Sequence, residues 1–382
     1  MFFGLLFFIS ISFLNSQYKQ KPRKIVFHNQ SVGTSKTSLV HAEQQITISL
    51  KTSSMRCIVC VRTRLGRLGN RMFTIASAYA LARLHSCHLF FLISTLEEIR
   101  EVFIFHLEPF LLPTFIFNRS WRNVSHPMKK ISRDIACQYV PELTHPNTIP
   151  SKHIFELQGF WQSYLNFDKY RDELRNRVFV ARPSVLERVS KLFIDIYEEK
   201  FHVIPQFSSD NHQLFKNQLA QLNWTIWIGI HVRRADFVSL QFASSDEYLF
   251  AAIEYYTERY SNAHFIVASD DKRYCRKLFR NRANIFLAPR SFDEGDDLIA
   301  LSLCQHSIIT GGTFGWWAGY LASGEVIHDT ASQAGCEQRE YYYPPWFKTI
   351  ENARKLLATL THGFPQFPTS PMSAQQPAIV KP

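Results

Sequence analysis

Two series of apolar runs, each cut by short polar or glycine-rich stretches, divide this chain into halves that alternate strand and helix. The second series is the more regular. An apolar run from Ile226 to Val232 stops at Arg233-Arg234-Ala-Asp236, which predicts a buried parallel strand ending in charge. Beyond it the pattern predicts helix Glu247–Tyr260, strand His264–Ala268, helix Lys272–Phe279, strand Asn284–Leu287 and helix Asp296–Leu303. Strand His306–Thr310, helix Trp316–Leu321 and strand Glu325–His328 follow. Strands alternating in this way with helices imply a doubly wound parallel sheet. All strands of such a sheet end at one edge, where open α/β proteins bind ligands. Three polar strand ends share that edge here: Arg233-Arg234-Ala-Asp236, Ser269-Asp270-Asp271 and Gly311-Gly312-Thr313-Phe314-Gly315.

The first series begins at Arg56. A strand over Cys57–Val61, a glycine-marked loop Arg64-Leu-Gly66-Arg67-Leu-Gly69-Asn70, a helix over Arg71–Leu84 and a strand over His88–Ile93 make a β–loop–α–β unit. The loop stands at a helix N-terminus, where backbone N–H groups favour anions. Arginines 56, 62, 64, 67 and 71 surround it with no acid among them. From Phe103 to Pro150 prolines break the pattern. A strand over Ile154–Gly159 leads into the aromatics Phe160, Trp161 and Tyr164, and Val185–Glu199 has helical spacing. Residues 205–222 read as a polar connection, and a short helix after Pro344-Pro345-Trp346 runs to about Leu360.

Composition adds three points. A net charge of +11 favours acidic partners, but the basic residues are scattered, which points to a small anionic ligand and not to a nucleic-acid groove. Seven cysteines are too sparse for a disulfide scaffold, and the lone Cys57-x-x-Cys60 lacks the second pair that a zinc site needs, so no metal site is expected. Residues 1–18 carry no charged side chain and read as a signal or signal-anchor segment. Sequons at Asn29, Asn118, Asn123 and Asn223 agree with secretion. Residues 19–55 read as a stem, and the proline-rich tail 361–382 as disordered.

The chemistry concentrates at the three strand ends. Adjacent arginines present planar forks suited to phosphate. Gly312-Thr313-Phe314-Gly315 opens a helix whose N–H groups can cradle the same group from another side. Asp296 and Asp297 start another helix; they either complement its dipole, or one of them accepts from the N1–H and N2–H2 edge of a guanine.

These residues also carry a resemblance. His231-Val-Arg233-Arg234-Ala-Asp236 resembles the His-x-Arg-Arg-x-Asp motif shared by α-1,2-, α-1,6- and protein O-fucosyltransferases. Gly66-Arg67-Leu68-Gly69-Asn70, Asp297-Leu-Ile-Ala-Leu-Ser-Leu-Cys-Gln-His306 and Gly312-Thr313-Phe314-Gly315-Trp-Trp-Ala-Gly-Tyr-Leu321 resemble glycosyltransferase family 11, the galactoside α-1,2-fucosyltransferases. The motifs occur in matching order from roughly Arg56 to Ile350. Two positions depart from the family pattern: Ala235 stands where glycine is usual, and Arg71 where glutamine is usual.

The resemblance implies a GT-B-like pair of Rossmann-type domains with a cleft between them, here 56–222 on the acceptor side and 223–360 on the donor side. It implies GDP-fucose as donor, a β-galactoside glycan as acceptor, inversion at the anomeric carbon, no metal and no further cofactor. It also implies a single-pass type II setting in the Golgi membrane, with the catalytic part lumenal. By motif position Arg233, Arg234 and Asn70 are the expected catalytic residues. His231, Arg233, Arg234, Asp297, Thr313, Phe314, Gly315 and Arg67 are the expected donor-binding residues. Asp236, Asp246, Glu247 and Glu156 are candidate bases, Asp236 being read first as an anchor for the arginines. A protein O-fucosyltransferase is the alternative within enzymes, and a non-catalytic glycan-binding relic the alternative outside them.

Overall fold

The computed structural model describes residues 57–63, 66–107, 111, 128–133, 137–145, 153–222, 224–330 and 338–362. The expected leading segment, stem, sequon asparagines and the tail past His362 lie outside the described residues. Among the described residues no helix is long and apolar enough to cross a membrane.

Two parallel sheets form because the apolar runs are apolar on both faces. In the first, β1 (Cys57–Val61) is buried throughout. It pairs in parallel with β2 (His88–Phe91) and β5 (His153–Gly159), and β5 pairs with β4 (Met128–Arg133), giving the order β2-β1-β5-β4. The helix after β1, α1 (Leu68–His85), is buried along nearly its whole length. It starts earlier than the glycines suggest, so Gly69 and Asn70 belong to its first turn and not to a loop. Ser86 ends it in the left-handed region, and a disulfide between Cys57 and Cys87 ties the start of β1 to the residue before β2. Cys57 is thereby removed from any CxxC chemistry, while Cys60 stays a buried free thiol. The expected strand to Ile93 stops at Phe91, because α2 (Ile93–Val102) begins there. A small antiparallel pair, β3 (Phe103–Ile104) with β6 (Val180–Ala181), precedes α3 (Pro183–Phe201). The span expected to be a polar connection holds α4 (His212–Gln221), whose Asn211 cap accepts from Leu214 N–H and which buries only Phe215 and Leu219. So few apolar positions are too short a pattern to read.

The second sheet is built from β7 (Ile226–Val232), β8 (Ala263–Ser269), β9 (Ile285–Leu287), β10 (His306–Ile309), β11 (Val326–His328) and a short sixth strand, β12 (Phe347–Lys348). Its order is β12-β11-β10-β7-β8-β9, all parallel. The chain leaves β7 outward to β8 and β9, then returns to the other side of β7 for β10. That reversal makes the gap between β7 and β10 the topological switch point, where a crevice opens beyond the strand ends. Between strands lie α5 (Ala235–Ser239), α6 (Asp246–Arg259), α7 (Lys272–Leu278), α8 (Glu294–Ser302) and α9 (Thr313–Ala322), while α10 (Arg339–Tyr342) and α11 (Ile350–His362) flank β12.

β7 shows why this sheet needs cover on both faces. Ile228, Ile230 and Val232 belong to one apolar cluster with Leu249, Ile253 and Tyr256 of α6. Trp227 belongs to the other, and its indole donates to the Tyr197 hydroxyl of α3 at 3.1 Å. That second cluster continues without a break into the first sheet. Phe73 of α1 lies 4.5 Å from the Trp316 ring and 5.2 Å from Trp317, and Phe167 stacks on Trp317 at 5.6 Å. Rings of this size weld the two halves through area and edge-to-face geometry. Below them Lys216 of α4 is half-buried with its ammonium on the Ser302 and Ala322 carbonyls, which caps the C-terminal ends of α8 and α9 together. Burial pushes that amine down to about 8.

Candidate functional site

β7 carries its charge out of the sheet at the switch point. Arg233 is fixed first by its backbone, whose N–H donates to Thr310 Oγ1 at the end of β10, 2.7 Å away. Its guanidinium then pairs with Asp236 and, at 2.6 Å, with Asp270 Oδ2, and lies 5.4 Å from the centre of the Phe237 ring. Asp236 therefore anchors Arg233, the more distant of the two arginines. Arg234 gives its backbone N–H to Asp270 Oδ1 at 2.8 Å and lays its guanidinium over Tyr274. Two of the three strand ends are thus joined through Asp270.

The third end joins through a helix start. Gly312 precedes α9 with φ of 93°, in the left-handed region where glycine has no steric penalty. Thr313 then donates its hydroxyl to Asn70 Oδ1 at 2.9 Å, and Gln162 Nε2 donates to the same oxygen at 2.8 Å. The first turns of α1 and α9 consequently meet, and they can do so because residue 69 is glycine. A Cβ there would lie 2.7 Å from the Thr313 carbonyl carbon and hydroxyl. Two sets of first-turn N–H groups, which no helix bond satisfies, come together beside the arginines. Arg67, immediately before α1, is exposed.

His231 lies behind this junction. Its ring is buried, packs 5.2 Å from Phe314, and faces Gly315 so closely that a Cβ there would approach Nδ1 to 2.3 Å. The ring is a spacer under the start of α9. Burial, and then the charge of Arg233, push its imidazole down to about 3, so it is neutral.

The two aspartates of α8 separate. Asp296 completes a capping box with Asp293 and pairs with Arg188 of α3 at 2.7 Å, so it belongs to the helix start. Asp297 is buried and meets Lys272 Nζ at 3.1 Å. Lys272 follows Asp271 in sequence and also donates to the Pro289 carbonyl at 2.8 Å. Burial raises the Asp297 carboxyl to about 7 against the pull of Lys272.

Among the candidate bases, Glu156 is buried and held by Arg62 at 2.9 Å, and Asp246 accepts from the Tyr274 hydroxyl. Glu247 is exposed at the start of α6, and the hydrogen bonds of its own backbone and of Ser245 lower its carboxyl. Asp236 is 45% exposed beside Arg233. Arg71 points inward: it donates to the Gly66 carbonyl at 3.1 Å and pairs with Glu98 of α2. Its role is to brace the glycine turn. Gln162, Thr310, Lys272 and Tyr274 were not foreseen; no local motif marks them, and each acts on a residue far away in sequence.

The buried rings make an acid-sensitive fold. His306 is pushed down to about 4 and His328 also lies below its ordinary value, both by burial. An unfolded imidazole takes up its proton near ~6.5. Between there and pH 4 the unfolded chain binds more protons at His231, His306 and His328, so stability is lost as pH falls. Asp297 runs the other way: its folded pKa is raised, and it contributes stability at low pH that is lost as pH rises toward 7. The balance leaves at least one histidine, about 1.4 kcal/mol per pH unit between pH 6 and 5. Urea unfolding at those two pH values checks this; equal midpoints would contradict it.

The parallel α/β halves thus gather two arginines and two helix starts at the switch point, and the model of glycosyl transferase family 11 matches residues 197–348 of this chain. The chain is 25% identical over 272 residues to galactoside α-(1,2)-fucosyltransferase 1 of Leontocebus fuscicollis, a match covering 69% of this chain and 65% of that one. It is 27% identical over 277 residues to galactoside 2-α-L-fucosyltransferase Sec1 of Mus musculus, covering 69% and 64%. The match thus spans just under two thirds of the length of these two relatives. Against galactoside α-(1,2)-fucosyltransferase 2 of Pongo pygmaeus the identity is 25%, covering 73% and 74%. Among solved structures it is similar to Arabidopsis thaliana FUT1 in complex with GDP, at 13% identity, TM-score 0.42 and 76% of each chain. It is also similar to the fucosyltransferase NodZ from Bradyrhizobium, at 16% identity, TM-score 0.44, and 74% and 97% of the two chains.

Proposed function

We propose that this chain is a galactoside 2-α-L-fucosyltransferase. It would move L-fucose from GDP-fucose to the 2-hydroxyl of a terminal β-galactoside on a glycan, with inversion and without a metal. The observation that carries the reading is the convergence at the switch point: Arg233 clamped by two carboxylates, Arg234 beside it, and the starts of α1 and α9 locked by the Asn70–Thr313 bond. The family-model match over residues 197–348 and the names of the relatives support the linkage.

In this reading the acceptor oxygen attacks the fucose anomeric carbon while the bond to the diphosphate oxygen breaks and its electron pair leaves with GDP. Charge develops on the diphosphate, and the arginines and helix N–H groups stand where that charge arises. They do the neutralising that a divalent ion does elsewhere. Asp297, held by Lys272, accepts from the guanine edge. Asn70 sets the registry of the two helix starts, and its oxygen is already occupied by Gln162 and Thr313. Of the four carboxylates considered as bases, Asp236 alone lies at the arginine cluster with much of its surface open. The proton of the acceptor hydroxyl would pass to it or to the departing diphosphate.

GDP release with and without a β-galactoside acceptor tests the reading, and the same assay in excess chelator tests its metal-free form. Acceptor-dependent release that survives the chelator is expected. Release dependent on a protein acceptor would turn the assignment to a protein O-fucosyltransferase, and absence of release to a glycan-binding protein. Complete loss restored by manganese or magnesium would remove the metal-free form.

We also infer a lumenal setting behind an N-terminal Golgi membrane anchor. The Cys57–Cys87 disulfide and a second one at Cys137 support it, since disulfides persist in oxidising compartments. A product from a secretory host should shift on endoglycosidase treatment; an unmodified cytosolic product would contradict it.

A further inference from the structure

The two arginines that close β7 are held in opposite ways. Arg233 has both terminal nitrogens on carboxylates, Nη2 on Asp236 and Nη1 on Asp270. Arg234 uses only its backbone N–H on a carboxylate oxygen at hydrogen-bond length. Its guanidinium carbon lies 3.6 Å from the centre of the Tyr274 ring. Its Nε is buried without a hydrogen-bond partner among the described residues, and the ion pair it makes with Asp271 Oδ2 is 3.9 Å long, beyond hydrogen-bond range.

Tyr274 is itself fixed at both ends. Its backbone N–H donates to the Asp271 cap of α7 at 2.9 Å, and its hydroxyl donates to Asp246 at the start of α6. Burial, and then that hydrogen bond, raise the phenol above its ordinary value, so it stays a donor at neutral pH. The ring is a platform spanning the starts of two helices.

We propose that Tyr274 is a positioning residue for Arg234, holding the guanidinium by its face so that its in-plane N–H donors stay available to the diphosphate of the donor, with Asp246 locking the ring. The proposal rests on the donor-site reading above. Its physical basis is that a guanidinium paired edge-on with carboxylates has donors taken, whereas a stacked one keeps its whole fork. The two carboxylates thereby fix the orientation of Arg233 and leave it only part of its fork for ligand, whereas Arg234 keeps its whole fork open.

The test is a double-mutant cycle on GDP affinity, measured by calorimetry on the full chain. Tyr274→Leu keeps bulk without a π face and should weaken GDP about tenfold, the loss expected for a desolvated cation–π contact. It should raise donor KM by a similar factor with a smaller change in kcat. Tyr274→Phe keeps the face and should stay within about threefold of wild type. In an Arg234→Ala background the Tyr274→Leu loss should vanish, because a residue that acts through Arg234 has nothing left to hold. Equal losses in both backgrounds, or no loss from Tyr274→Leu, overturn the proposal alone. If Tyr274→Leu fails to fold, the Tyr274→Phe pair decides: a full loss with the ring retained also overturns it. A wild-type chain that binds no GDP removes the donor-site reading and the proposal with it.

Discussion

Arg233→Lys in a folded protein should lower kcat about a hundredfold or more while moving the donor KM much less. Asp236 and Asp270 hold two edges of the guanidinium, and Thr310 holds the backbone behind it, so the fork is oriented before any ligand arrives. A lysine ammonium keeps the charge but cannot bridge two carboxylates and still face a third group in a fixed plane. If the fork meets charge that grows as GDP departs, its loss falls on the transition state and so on kcat. Removing a charge-assisted donor from such a place costs about 2.7 to 4 kcal/mol. Steady-state kinetics on a variant with an unchanged melting curve decides the matter. Retention of more than about a third of kcat, under ~0.7 kcal/mol, would reduce Arg233 to an ion pair at a strand end.

Gly69→Ala should be nearly as damaging, although no side chain is lost. The added Cβ would come within 2.7 Å of Thr313 and 2.8 Å of the Phe314 nitrogen, which are backbone contacts with no flexible end to swing away. Either α1 or α9 must shift, and the Asn70–Thr313 bond lengthens with it. Overpacking of this kind costs about 1 to 3 kcal/mol in stability. The larger effect is on rate, because a displacement near 1 Å between groups that must act together costs on the order of a hundredfold. The melting temperature and the donor kcat/KM should both drop. Wild-type values for both would mean that the two helix starts need not be in register.

The second sheet was legible because each of its strands except β12 is an apolar run bounded by polar turns, and β12 has only two residues, too few for any period. The first sheet was less so. β4 lies among prolines that mask its parallel pairing to β5, and α2 begins with the apolar Ile93, which extends the apparent strand although that side chain is 57% exposed. At the site, the arginines, the Asp270-Asp271 end and the Gly312–Gly315 turn announce themselves, since each is a local motif at a strand end. The bonds that Gln162 and Thr313 make to Asn70 do not, since they span 92 and 243 positions.

Strand direction and the binding edge are therefore readable along the chain. Alternating strands and helices force parallel pairing, parallel pairing puts the strand ends together, and the polar ends name the edge that binds. How each charged group is held depends on folding. Of two neighbouring aspartates, Asp296 caps a helix and Asp297 faces a lysine; of two neighbouring arginines, Arg233 is clamped and Arg234 is stacked; Arg71 turns inward and His231 becomes a buried spacer. Backbone periodicity is a property of adjacent residues, so it can be read along the chain. The partner of a side chain is a property of segments brought together by folding, and adjacent residues of the same type carry no local signal that distinguishes them.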